Sequence, residues 1–132
     1  MAEHDIQKAY FDWARLDPVA RRAYAIPNGG HRHIRVAQKL KREGVRAGVL
    51  DVHIPVPRAT SPGLYIEFKA GYNKLTPEQQ QEVEALLRDG FVVAVAWDAE
   101  QAVNLTKRYL AGELMPGFYE LPAAKPCRSR SR

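Results

Sequence analysis

A chain of 132 residues, 45% of them hydrophobic, can bury one compact core, and no apolar run of about 18 residues offers a membrane span. The net charge of +5 suits a polyanionic partner such as nucleic acid without demanding one. The single cysteine, Cys127, excludes an internal disulfide, and "MAEHDIQKAYFDW" lacks the basic-then-apolar layout of a signal peptide, so a cytoplasmic, reducing setting is expected.

Residues 4–16 read as a helix with Ile6, Ala9, Tyr10 and Trp13 on one side, broken at Asp17-Pro18. "AYAI", 23–26, is a short strand candidate, and "PNGG" is a turn. A second helix is predicted over 31–43, with Gly44 as its C-cap. Strands follow near 49–54 and 64–70, joined by the loop "PRATSP". The clearest helix is "LTPEQQQEVEALLRDGF": Thr76 is a good N-cap, Pro77 suits the first helical position and Gln79 completes a T-x-x-Q capping box. "FVVAVAW", 91–97, is apolar on both faces and predicts a strand covered on both sides. A last helix spans 98–111. A domain over 1–120 is expected to precede a loose basic tail, 121–132. The predicted order implies an α/β fold, a small mixed sheet flanked by helices.

The two central strands carry unexpected charge. Alternation puts Leu64, Ile66 and Phe68 on one face and Tyr65, Glu67 and Lys69 on the other. In the preceding strand, Val49, Asp51 and His53 share a face. If the strands pair, Asp51, Glu67 and Lys69 converge. Two adjacent carboxylates repel unless a cation lies between them, and Mg²⁺ takes such oxygen ligands. Alternation alone equally describes a wet sheet face, apolar in and Glu/Lys out.

Three further features bear on that choice. Gln79 lies four residues before Val83, toward the buried side of its helix, and Glu3 falls near the apolar stripe of the first helix. Polar groups at core-facing positions need partners or a function, although Gln79 also serves as a cap and Glu3 suits a helix N-terminus. In the second helix, Arg32, Arg35, Lys39 and Arg42 fall within an arc of about 80°. Such a ridge suits a phosphate backbone, or is simply a solvated face.

The runs "IPNGGHR", "KLKREGVRAGVLDVHIP" and "GLYIEFKAGYNKLTPEQ" together resemble the VRR-Nuc domain, a branch of the PD-(D/E)xK nucleases. The resemblance extends from about Glu3 to Trp97. It implies a restriction-endonuclease-like core in which Asp51 and Glu67 are the metal-binding acids, Lys69 the motif lysine and Gln79 the glutamine of the following helix. It also implies that Glu3 and the backbone carbonyl of Phe68 join the metal site. The activity so implied is a Mg²⁺- or Mn²⁺-dependent deoxyribonuclease, leaving a 5′-phosphate and a 3′-hydroxyl. As a stand-alone member of phage or bacterial type, the chain is expected to act on branched DNA as a homodimer, inside a bacterial or infected cell. Phe118 and Tyr119, expected beyond the core elements, are apolar residues available for such a dimer. One position departs from the family: Leu50 stands where proline usually precedes the aspartate. Proline there supplies no ligand, so the metal site is expected to survive.

His31, His33 and His53 have no structural-zinc spacing. Trp13, Trp97 and the tyrosines read as core residues, with Tyr65 on the Glu67 face and Tyr72 in the adjoining loop. Two other functions compete with the nuclease. A non-catalytic DNA-binding module would bind DNA without cleaving it, and an interaction protein would show no salt-dependent DNA binding.

Overall fold

The computed structural model describes residues 2–27 and 34–123. The turn from Asn28, the start of the second predicted helix with His31, Arg32 and His33, and the tail from Ala124 with Cys127 lie outside the described residues.

The first helix, α1 (Glu3–Ala14), buries Ile6, Tyr10 and Ala14 at four-residue spacing, the signature of one face turned to a core. Beyond it, the Asp17 carboxylate accepts from the backbone N–H groups of Val19 and Ala20 at 3.0 and 2.8 Å, and a short 3-10 turn follows at Ala20–Arg22. Five strands, β1 (Tyr24–Ala25), β2 (Val52–Ile54), β3 (Leu64–Phe68), β4 (Val92–Ala96) and β5 (Gly117–Glu120), form one mixed sheet in the order β1-β2-β3-β4-β5. β1, β2 and β3 pair antiparallel, and β3, β4 and β5 pair parallel. The remaining helices are α2 (Ile34–Arg42), α3 (Pro77–Arg88) and α4 (Ala99–Leu110).

The sheet is the middle of three layers. On one face Val52, Ile54, Leu64, Ile66, Phe68, Ala94 and Ala96 pack against α1 and α4 in a continuous core. Tyr10 of α1 is pinned to Thr106 of α4 by a buried hydroxyl hydrogen bond of 2.9 Å. On the other face, Val83 and Leu86 of α3 meet Leu50 and Val93. β4 is buried along its whole length, as its two-sided apolar sequence predicts. Asp98 caps α4 by accepting from the Gln101 N–H at 2.7 Å.

β5 is not apparent in the sequence. Four residues, Gly-Phe-Tyr-Glu, are too few for alternation to separate a strand from a loop. Phe118 and Tyr119 thus belong to an edge strand, not to a segment beyond the core, and Tyr119 packs against the α1/α4 side. The pairing runs into the expected tail: the Leu121 N–H donates to the Val95 carbonyl, and the Pro122 carbonyl accepts from the Gln101 side chain.

α2 stands apart. None of its residues is buried, and Ile34 and Val36 are exposed. No helix among the described residues is long and apolar enough to cross a membrane.

Candidate active site

The β2–β3 register pairs Val52 with Ile66 and His53 with Tyr65. One residue further along this antiparallel pairing, Asp51 comes opposite Glu67. The Asp51 carboxylate accepts from the Phe68 N–H at 2.8 Å, which holds it against β3. The loop leading to Asp51 is clamped on α3. Gly48 has φ +92, and a Cβ there would stand 2.8 Å from the backbone of Glu78, so only glycine fits both the conformation and the space. Leu50, where the sequence resemblance leads one to expect proline, is buried with Val83, Leu86 and Val93. It anchors the aspartate by packing where proline would act through backbone stiffness.

Glu67 and Lys69 are 2% and 6% exposed, which excludes the wet-face reading of their alternation. They meet Gln79 in one network. The Gln79 amide nitrogen donates to Glu67 Oε2 at 2.8 Å, and Lys69 Nζ donates to Gln79 Oε1 at 2.9 Å. Lys69 Nζ also lies 3.4 Å from Glu67 Oε2. The same Gln79 Oε1 accepts from the Thr76 N–H at 3.0 Å, while Thr76 Oγ1 accepts from the Gln79 N–H at 3.1 Å. The capping box and the site contact, alternatives in the sequence, are therefore one arrangement: capping the helix locks the amide in the orientation that serves Glu67 and Lys69.

Glu67 Oε1 is buried without a hydrogen-bond partner. Its neighbour is the Asp51 carboxyl, which when ionised offers no donor. A shared proton, a bound water or a cation would satisfy that oxygen. Burial first, and then the Asp51 charge, push the Glu67 carboxyl up to about 8. Burial likewise raises Asp51, against the opposing hydrogen bond from Phe68.

Glu3 adds repulsion to both acids, and its carboxylate accepts from the Asn73 side chain at 2.8 Å. It thus stands at the edge of the cluster. Among the described residues no three of His, Cys, Asp and Glu gather to hold a metal. Phe68, between the acid and the lysine in β3, turns its side chain to the opposite core. His53 does not join the acids: its ring stacks on Tyr65 with centroids 4.2 Å apart, and its Nδ1 is hydrogen-bonded to the Tyr24 hydroxyl. The hard oxygen donors, with one carboxylate oxygen unpartnered, fit Mg²⁺ or Mn²⁺ rather than a soft metal.

Of the basic residues expected on DNA, Arg35, Lys39 and Arg42 sit together on exposed α2 around a surface hollow, and none of them is among the contacts of the acids. Arg32 lies outside the described residues. Sequence reasoning missed Asn73, which carries no signal beyond its loop. Gly48 within "EGVRAG" does carry a signal, since a glycine just before an acidic strand is a usable sign of close backbone approach.

No family model and no curated protein matches this chain. Among solved structures it is similar to a "VRR_NUC domain protein", with 25% sequence identity and a TM-score of 0.71, over 90% of this chain and 93% of that one.

Glu67 makes the metal-free fold pH-sensitive. Its carboxyl is raised from 4.5 to about 8, so its contribution to stability is complete below 4.5 and is lost as the pH rises through about 8. The melting temperature in a chelator is expected to fall between about pH 5 and about pH 9, and Glu67→Gln is expected to flatten that fall. An equal slope in wild type and variant would place its source elsewhere.

Proposed function

From a chain with the fold of a VRR-Nuc domain, we propose a Mg²⁺- or Mn²⁺-dependent deoxyribonuclease that hydrolyses phosphodiester bonds in branched DNA as a homodimer. The observation that carries the reading is the buried Glu67, its Oε1 unpartnered beside Asp51 and its Oε2 held by Gln79 and Lys69. A purely structural sheet gains nothing from two carboxylates pressed together in a low-dielectric setting.

Asp51 and Glu67 would hold the cation, with the Phe68 carbonyl and Glu3 as further oxygen donors. A divalent ion there would polarise a phosphoryl oxygen and ease deprotonation of the attacking water. The chain's own groups orient the reaction. Gln79 fixes one oxygen of Glu67 and leaves the other free to ligate. Lys69, buried and aimed by the same amide, would hold the water nucleophile and donate to charge that develops on the phosphate. The exposed basic face of α2 would take the DNA backbone. The branched substrate and the dimer rest on the likeness to stand-alone phage and bacterial members. A two-fold protein is also the simplest match to a near-symmetric junction.

Asp51→Asn and Lys69→Met separate the roles. Asp51→Asn is expected to abolish cleavage of labelled junction, flap and duplex DNA and to weaken Mg²⁺ binding in a calorimetric titration. Lys69→Met is expected to lower cleavage by about a hundredfold or more while Mg²⁺ still binds. Wild-type cleavage by Lys69→Met would refute that assignment. Salt-dependent DNA binding by the native chain, with no cleavage of any DNA, would leave the non-catalytic module as the reading.

Replacing Arg35 and Lys39 together with alanine should weaken binding to all DNA sequences alike and reduce the salt slope by about two. An unchanged slope would put the DNA on another surface.

Light scattering with junction DNA, at protein concentrations on the order of micromolar, is expected to show two protomers per complex. A single protomer throughout would remove the homodimer from the reading.

A further inference from the structure

The sheet face that carries Glu67 is only partly covered by α3. The register sets Glu67, Val95 and Glu120 in one row across β3, β4 and β5. Toward the C-terminal ends of these parallel strands the loop after β3 arches over the sheet and leaves a hollow of about 460 Å³. That volume is in the range of pockets that take small organic groups. Tyr72, Trp97 and Phe118 line it, with Lys69, Lys74 and Glu120. Tyr72 is 64% exposed and Phe118 38%, so two aromatic rings are presented to solvent around one concavity, where a planar group can stack on them.

We propose that this hollow is a nucleobase site, in which one unpaired or extruded nucleotide of the DNA strand being cut stacks on the exposed rings of Tyr72 and Phe118. The inference rests on the nuclease reading above and names the feature of the substrate that the site would select. Lys69 belongs both to the acid cluster and to the wall of the hollow, so an occupant there is continuous with whatever lies at Glu67. Glu120 stands two strands from Glu67, about 10 Å at ordinary sheet spacing, or about three stacked nucleotides. The chemistry favours a base over a phosphate. Aromatic rings offer stacking to any base, whereas the Glu120 carboxylate repels an anion and accepts from an exocyclic amine. Lys74 on the wall then suits a flanking phosphate. A base inside a regular duplex cannot reach the hollow without unstacking, which costs least where the nucleotide is already unpaired. A preference for flaps and other DNA with unpaired nucleotides over continuous duplex follows from such a pocket.

The test uses abasic substitution as the probe. DNA affinity is measured by fluorescence anisotropy in an Asp51→Asn background, which holds substrate uncut. The substrates are flap DNAs bearing one abasic residue at each position within about three nucleotides on either side of the cleavage point mapped with the wild-type protein. One position is expected to lower affinity roughly ten- to a hundredfold. In a chain that also carries Tyr72→Ala and Phe118→Ala, the same abasic residue should cost nothing further, because the stacking partners are already gone. Should Phe118→Ala not fold, Tyr72→Ala alone carries the comparison, since that side chain is exposed. The proposal is overturned if no abasic position matters, or if the loss is as large without the rings as with them. It is also overturned if loss of the rings dissociates a dimer without any coupling to the base, since the hollow would then be covered by a second copy of the chain. A wild-type protein that neither binds nor cuts DNA would remove the nuclease reading as well. One that cuts without base coupling removes only the pocket.

Discussion

Two carboxylates are held together where water cannot fully screen them, and much of the structure follows from that constraint. Glu67 is almost wholly buried and faces Asp51, an arrangement that raises both acids and works against folding at neutral pH. The fold surrounds the pair with donors that soften the repulsion without cancelling it. The Phe68 N–H serves Asp51, and Gln79 and Lys69 serve one oxygen of Glu67. The other oxygen is left over. A network that satisfied every lone pair would be more stable and would have no place for a cation. The unmet oxygen is the kind of local cost that functional sites retain.

Holding such a pair requires rigid supports, and they come from both sides of the sheet. β4, buried throughout, fixes β3 by parallel pairing. α1 and α4 close one face through the Tyr10–Thr106 contact. α3 covers part of the other, and its first turn supplies both the Gln79 amide and the backbone against which Gly48 is pressed. The helix that caps itself through Thr76 and Gln79 is therefore the same element that positions the lysine and the acid. A change that frays the first turn of α3 would loosen the site before it unfolded the domain.

Charge is divided between two settings. Glu67 and Lys69 are buried and Asp51 half-buried at the sheet, whereas the basic residues of α2 stand on a helix none of whose described residues is buried. Desolvated groups set reactivity, because electrostatic effects are strongest where water is excluded. Exposed cations act at longer range and are weakened by salt. The separation lets the basic surface change without disturbing the acids.

Much of this was legible in the linear chain, because it depends on local periodicity. The capping box at Thr76–Gln79, the two-sided apolar run of β4 and the alternation in β3 each encode geometry within a few residues. The spacing of Asp51, Glu67 and Lys69 likewise placed three charges on one sheet face. Burial was not legible. Alternation describes a wet face and a covered one equally well, and only the packing of α3 on that side of the sheet distinguishes them. Nor did the chain reveal β5, whose four residues become a strand because β4 offers them an edge. The dual role of Gln79, the close approach at Gly48 and the aromatic hollow beside Lys69 also belong to the tertiary structure. Each is a contact between segments far apart in sequence, and no local pattern records which distant atoms will be brought within reach.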